Sequence, residues 1–291
     1  MTEEQTIKNM EMELIEEECF VDLSEKMSLP PVAISFGEHE SISKEGKQIL
    51  PTPIGTYGNF SFIQAAPKTK KTYLISLISS VYLSNTGHNT FGGKMKAHRG
   101  KKCLIHFDTE QGKYHAQKVF NRVVDMNEST DVGCYYTYAL RPISYKKRIE
   151  FIEYKLKTIS ETEEVGLIVI DGVADLVSDV NNIEESNLCV QKIMEWSSRF
   201  NCHIMTVIHT NYGSYKATGH LGSFLMKKTE TSIQLEENTV NEGNITVKCD
   251  LSRGIPFDTF SFRLNKFGYP EVVGFDFDLL EGMDYKKKQY V

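Results

Sequence analysis

No apolar run in this sequence is long enough to cross a bilayer as a helix. The start is rich in glutamate, whereas a secretory leader opens basic and then turns apolar. Both absences lead us to expect a cytoplasmic protein with no membrane partner. A basic balance is also missing: the formal net charge is -6. That sign excludes a surface that is globally basic for nucleic acid, so any contact with DNA has to be local. The six cysteines (Cys19, Cys103, Cys134, Cys189, Cys202 and Cys249) are scattered, none in C-x-x-C spacing. They read as buried, reduced thiols rather than as metal ligands. The length of 291 residues suits one large α/β domain, and an apolar fraction of 40% is enough for its core.

The most telling absence is of glycine between residues 65 and 72. This segment reads A-A-P-K-T-K-K-T (Ala65, Ala66, Pro67, Lys68, Thr69, Lys70, Lys71, Thr72). It follows a strand-like run, Asn59 to Gln64, and opens a helix-like one, Tyr73 to Leu83. Strand, short loop, Lys-Thr and helix is the layout of a phosphate-binding P-loop. Amide groups at a helix N-terminus face an anion, and the helix dipole favours it. Lys71 would supply a point charge for the β and γ phosphates, and the Thr72 hydroxyl would hold Mg²⁺. Yet the usual pattern is G-x-x-x-x-G-K-[ST], and here Ala65 and Lys70 replace the two glycines. Lysine is the costlier substitution, because glycine takes strained loop dihedrals without a Cβ penalty. Alone, this segment reads as a basic turn ahead of a buried helix.

Three later strand ends change the balance. Lys102 to Asp108 reads as a buried strand ending in D-T-E-Q-G, with a helix from near Tyr114. Ligands of open parallel sheets lie beyond the carboxyl ends of the strands. Glu110 is therefore placed to act on an attacking water. The plainer reading is an acidic turn in which Asp108 or Thr109 caps the helix. Val165 to Ile170 is apolar throughout, as in a strand buried on both faces, and runs into Asp171, a candidate Mg²⁺ ligand. Cys202 to Ile208 is a fourth strand, ending in His209, which could sense the γ-phosphate or merely hydrogen-bond at the sheet edge.

In this order the segments resemble the RecA-like ATPase superfamily, and within it the RepA-type hexameric replicative helicases of plasmids and mobile elements. The resemblance spans roughly Pro31 to Val273. It implies an α/β fold: a RecA-like core with a largely parallel sheet flanked by helices, plus C-terminal antiparallel strands. It implies ATP and Mg²⁺ as cofactors, bound by residues 65–72 and Asp171. It makes Glu110 the catalytic base and His209 the sensor. Ser252 to Phe257 (S-R-G-I-P-F) resembles the segment with a trans-acting basic finger, which makes Arg253 the finger candidate. Some RepA-like proteins carry P-K-[ST]-x-K-[ST] here, as Pro67 to Thr72 does, which gives Lys68 a share in phosphate binding. The implied protein is an ATP-dependent DNA helicase. It would act on single-stranded DNA as a homo-oligomer, a hexamer in that family, with replication proteins as further partners. An ATP-binding DNA scaffold or helicase loader with weak turnover is the alternative. A filament-forming recombinase is a weaker third reading.

We expect three segments: residues 1–28 as an acidic N-terminal segment, helical or flexible, 29–280 as the ATPase domain, and 281–291 as a tail. Residues 29–56 read as loop-rich around one strand, Val32 to Phe36. From Asn59 strands and helices alternate to Ile208, which implies right-handed crossovers and a parallel sheet. Thr231 to Glu236, Asn244 to Asp250 and Asp258 to Leu264 alternate apolar and polar, as antiparallel strands do. Two loops are candidates for DNA. Asn85 to Lys102 is rich in glycine and lysine, and a solvated insertion is the plainer reading of it. Asn211 to His220 follows the sensor and offers Tyr212, Tyr215 and Lys216 for stacking and phosphate contact.

Overall fold

The computed structural model describes residues 3–43, 46–84, 94–127, 133–211, 214 and 216–273. The chain divides into two compact units, Met1–Pro30 and Pro31–Val291. The first holds helix α1 (Glu3–Cys19). Its run of Glu, Met, Leu and Ile has no proline or glycine to interrupt a helix. Ile7, Met10 and Leu14 on it are exposed.

The second unit opens with a long antiparallel hairpin, β1 (Val32–Ser43) and β2 (Gly46–Thr56). Here the expectation of one short strand in a loop-rich stretch is wrong. Pro51 and Pro53 argue against a central strand, but β2 is an edge. The order of this three-stranded sheet is β2, β1, β4, with β4 at Met95–Ala97. An edge strand can carry proline on its unpaired side. The hairpin is anchored through Thr56, whose amide and hydroxyl donate to the two carboxylate oxygens of Glu230 at 2.9 and 2.7 Å.

The main sheet has nine strands among the described residues. In chain order they are β3 (Phe60–Ala65), β5 (Cys103–Asp108), β6 (Tyr135–Ala139), β7 (Val165–Asp171) and β8 (His203–His209), followed by β9 (Thr231–Glu237), β10 (Ile245–Ser252), β11 (Phe260–Leu264) and β12 (Pro270–Val273). Their spatial order is β12-β11-β10-β9-β3-β8-β7-β5-β6. From β9 to β6 the pairings are parallel, and from β9 to β12 antiparallel. The expected fold class is thus observed: a largely parallel sheet flanked by helices, with antiparallel strands at the C-terminal side.

Helices α2 (Lys71–Ser84), α3 (Lys113–Asp125), α4 (Tyr145–Ser160) and α5 (Ile183–Arg199) lie in the crossovers, and α6 (Gly219–Lys228) precedes β9. Successive strand residues point to opposite faces, and both faces are covered. On β7, Leu167 and Val169 enter one core with Leu74, Ile78 and Val81 of α2. Ile168 and Ile170 enter the other with Ile152, Ile193, Trp196 and Leu221. An uninterrupted apolar strand is what double burial demands.

Candidate functional site

The register aligns the strand tips. Ala65 at the end of β3 is level with His209 at the end of β8. Asp171 ends β7 level with Asp108, which ends β5. The residues singled out on four separate strands therefore meet at one end of the sheet, beside the N-terminus of α2.

Residues 66–70 form the turn between β3 and α2. Thr69 closes it, its hydroxyl donating to the Ala66 carbonyl at 2.8 Å. Lys68 and Lys70 both take left-handed backbone angles, φ 67° and 58°. The loop keeps a glycine-type conformation without glycine. Such angles cost an L-residue about 1–2 kcal/mol each.

Lys71 is nearly buried, with 7% of its surface exposed. Its ammonium donates to the carbonyls of Ala65 (3.1 Å) and Ala66 (2.8 Å) and to His209 Nδ1 (2.9 Å). An ammonium has no lone pair, so Nδ1 accepts and the ring proton sits on Nε2. That nitrogen faces Glu110 Oε1 at 3.5 Å. Lys71, His209 and Glu110 thus form a line from the P-loop to the tip of β5. Burial lowers the Lys71 pKa to about 8, opposed by the charges of Glu110 and Asp171. The hydrogen bond with His209 holds the Glu110 carboxyl below its ordinary value against burial, with help from Lys71. Glu110 is therefore ionised at neutral pH, as a base must be.

Asp171 is 4% exposed. Burial raises its pKa to about 7, with Asp108 and Glu110 adding repulsion and a hydrogen bond from Thr72 opposing. Among the described residues its Oδ2 and the Oδ2 of Asp108 have no hydrogen-bond partner. A buried carboxylate oxygen without a donor is costly unless a cation or water completes it. This donor set fits Mg²⁺, which takes one or two protein oxygens and fills the rest of its shell with water and phosphate. Among the described residues, no group of three or more His, Cys, Asp or Glu is placed to hold a metal ion by itself.

Neither Asp108 nor Thr109 caps α3, whose N-cap is Gly112. Asp108 Oδ1 instead accepts the amides of Glu110 and Gln111 at 3.1 and 2.8 Å, which folds the turn that carries Glu110. The Thr109 hydroxyl lies within hydrogen-bond distance of the Asp171 and Gly172 carbonyls and of Asp175 Oδ2, tying β5 to β7. Gly172, at φ 102°, makes room: a Cβ there would lie 2.4 Å from Thr109 Oγ1 and 2.7 Å from Glu110 Cγ. The sequence reading does not single out Asp175 and gives Gly172 no role of its own. A glycine directly after the strand-end aspartate is the signal that was there to be read.

Arg253 is not brought into this cluster. It follows β10, whose last residue pairs with Thr231 at the start of β9, and Thr231 pairs with Ser61 near the start of β3. It lies exposed at the opposite end of the strands, with Nη2 donating to the Lys228 carbonyl at 2.7 Å. Of the candidate DNA loops, residues 85–93, Tyr212 and Tyr215 lie outside the described residues. Lys216 is described and is exposed.

Two clefts stand out. One of about 700 Å³ lies at the amino ends of the strands, lined by Lys102, Lys157, Arg199 and the acids Glu161, Glu163 and Glu164. It contains no P-loop residue, and the strand-tip chemistry is at the other end. The second, of about 520 Å³, borders the P-loop itself. No helix among the described residues is long and apolar enough to cross a membrane.

A comparison with curated proteins finds no match. A family model described as an AAA domain matches residues 45–214, a stretch that begins just before β2 and takes in the P-loop, Glu110, Asp171 and His209. With a phosphate loop, a buried carboxylate suited to Mg²⁺ and an ionised glutamate meeting at the strand tips within that match, the chain belongs to the AAA domain family of P-loop ATPases.

Proposed function

We propose that this ATPase is a DNA motor of the RepA-like hexameric helicase type, hydrolysing ATP between subunits while bound to single-stranded DNA. The observation that carries the reading is the line Lys71–His209–Glu110. It connects the phosphate-binding lysine to the base through the residue from which the next loop departs.

Lys71 now spends its donors on two loop carbonyls and a histidine. A triphosphate offers stronger acceptors, and charge-assisted bonds to phosphate exceed those to neutral groups. Lys71 would turn to the β and γ phosphates and release His209 Nδ1. Lys68, exposed on the same loop, would add a second positive charge. Thr72 and Asp171 would hold Mg²⁺, which supplies charge neutralisation on the phosphates. Glu110, ionised and fixed by the turn at Asp108, would orient the attacking water and accept its proton. His209 would report the change: its carbonyl accepts the amide and hydroxyl of Thr218 at 3.1 and 2.8 Å. Thr218 closes the loop that carries Lys216, the favoured DNA element. The position of Arg253, away from its own P-loop, supports a finger role toward a neighbouring subunit.

One observation favours a second reading, an ATP-binding scaffold or loader with weak turnover: the strained, glycine-free loop at Lys68 and Lys70. ATP binding, hydrolysis with and without single-stranded DNA, and strand unwinding separate the two. For the motor we expect DNA-stimulated turnover and unwinding. Lys71→Ala should abolish ATP binding. Glu110→Gln should keep binding while turnover falls about 10²–10⁴-fold. ATP binding without DNA-stimulated turnover would select the scaffold. Unchanged affinity in Lys71→Ala would remove the P-loop assignment altogether.

A further inference from the structure

The six cysteines do not share one environment. Cys103, Cys189 and Cys202 are buried, Cys134 and Cys249 half-buried, and Cys19 exposed. Burial pushes the Cys103 and Cys189 thiols up to about 12 and the Cys249 thiol up to about 11. Those three are protonated and unreactive at neutral pH. Cys134 is set apart by what touches it. It stands just before β6, and the Arg99 guanidinium, from the turn ahead of β5, donates through Nη1 to its sulfur.

Arg99 is only 9% exposed. Its Nη1 also reaches the Lys102 carbonyl at 3.3 Å, and among the described residues its Nε has no hydrogen-bond partner. Its two acceptors are thus a carbonyl and a sulfur, with no carboxylate. A guanidinium cannot shed its proton, and a buried charge is costly unless an opposite charge meets it. Tyr57 and Tyr82 also lie in the field of Arg99, but burial raises both phenols and keeps them neutral. Glu164, near the same strand ends, is taken by Lys102 at 2.9 Å. The group left in contact that can carry the negative charge is the Cys134 thiolate.

A second thiol lies beside it. Leu104 is level with Tyr135, and the Leu104 amide donates to the Cys134 carbonyl at 2.8 Å. Cys103 and Cys134 are therefore neighbours one residue earlier, on the same face of the sheet. Both pack with the core that holds Ile105, Ile152 and Ile168. Neighbouring strands lie about 4.8 Å apart, within the Cα separation of about 4.4–6.8 Å that a disulfide spans.

We propose that Cys134 is a peroxide-reactive thiolate held by Arg99, with Cys103 as the thiol that resolves it. The Cys134 sulfur attacks one oxygen of hydrogen peroxide. The O–O bond breaks, Cys134 becomes a sulfenic acid, and the other oxygen leaves as hydroxide. The Cys103 sulfur then attacks the Cys134 sulfur. The S–O bond breaks, and its hydroxyl departs with the Cys103 proton as water. Both sulfurs are oxidised, one peroxide is reduced, and a Cys103–Cys134 disulfide remains. The cluster lies at the amino ends of β5 and β6, whereas Glu110 follows the carboxyl end of β5, so the proposal does not depend on the nucleotide reading.

The test uses the full, reduced chain, iodoacetamide and hydrogen peroxide as probes, and peptide mass spectrometry as the readout. Iodoacetamide should alkylate Cys134 roughly tenfold faster than the exposed Cys19, the gain expected when a thiol is held mostly ionised at neutral pH. Arg99→Met, which keeps the bulk without the charge, should remove that advantage, and Arg99→Lys should keep most of it. The ultraviolet difference between wild type and Cys134→Ser should show one thiolate at neutral pH, a readout that needs no change at Arg99. With peroxide, wild type should form the disulfide. Cys103→Ser should stop at a sulfenic acid on Cys134 that dimedone traps. If Cys134 reacts no faster than Cys19 and the difference spectrum shows no thiolate, the reactive site is wrong. If Arg99→Met reacts as fast as wild type, Arg99 does not hold the thiolate and the proposal falls. If dimedone traps Cys134 equally in wild type and Cys103→Ser, the resolving role of Cys103 is overturned.

Discussion

Lys70 occupies the place where a phosphate loop ordinarily has glycine, and it adopts the glycine conformation, φ 58°. Left-handed angles cost an L-residue about 1–2 kcal/mol, while glycine costs about 0.5–1 kcal/mol in extra freedom of the unfolded chain. Lys70→Gly should therefore raise stability by on the order of 0.5 kcal/mol. Urea denaturation of the nucleotide-free protein reads this directly, and a clear loss of stability would show that the turn is not strained there. The side chain offers a reason for the strain. Its contact with the Gly243 carbonyl links the loop to the β9–β10 hairpin, which glycine cannot do.

At the scale of the element, β5 carries its chemistry at the tip and a titratable histidine in its middle. His106 is fully buried; Tyr135 Oη lies 3.0 Å from its Nδ1, and Nε2 has no hydrogen-bond partner among the described residues. Burial pushes its pKa down to about 3, so the folded state keeps it neutral where the unfolded chain takes a proton. Stability falls as pH drops below the unfolded value near 6.5. His106 alone should account for roughly 2 kcal/mol of that loss by pH 5. Asp108 and Asp171 work in the opposite sense, since their pKa values are raised and the folded state takes up their protons first. The wild-type slope is thus a net of opposing terms, and the variant isolates one of them. His106→Phe should be less stable at pH 7, where the Tyr135 hydroxyl loses its partner, yet lose less on going to pH 5. Parallel denaturant titrations at the two pH values test this, and an unchanged difference between the two proteins would contradict it.

For the whole molecule the question is whether the site is completed by a second copy. Arg253 lies at the amino end of the strands and Glu110 at the carboxyl end, so one chain cannot bring them together without unfolding the sheet between them. In the motor reading Arg253→Ala should fold and assemble but lose hydrolysis. Its only described side-chain contact is one exposed bond to Lys228, so stability should change by no more than about 0.5 kcal/mol. Mixing Arg253→Ala with Glu110→Gln subunits should restore part of the activity, because some interfaces then pair an intact base with an intact finger. Mixed oligomers that demonstrably exchange subunits and remain inactive would rule out a shared site.

The strand and helix alternation from β3 to β8 was legible because doubly buried strands must be apolar throughout, and polar breaks mark their ends. The helix-like run Tyr73 to Leu83 falls inside α2 (Lys71–Ser84), and Glu110, Asp171 and His209 are picked out by their positions just beyond or at strand ends. The β1–β2 hairpin was not legible, because Pro51 and Pro53 speak against a strand and only the sheet order reveals that β2 is an edge. The site's wiring was also invisible: Lys71 and His209 are 138 residues apart in the chain yet 2.9 Å apart in space. Residue types and local periodicity determined which elements form and which end of each carries chemistry, since those depend on near neighbours. The pairing of β3 between β8 and β9 was decided only in three dimensions, where burial of both sheet faces selects one strand order. That order brings the tips of β8, β7 and β5 together beside the loop that follows β3.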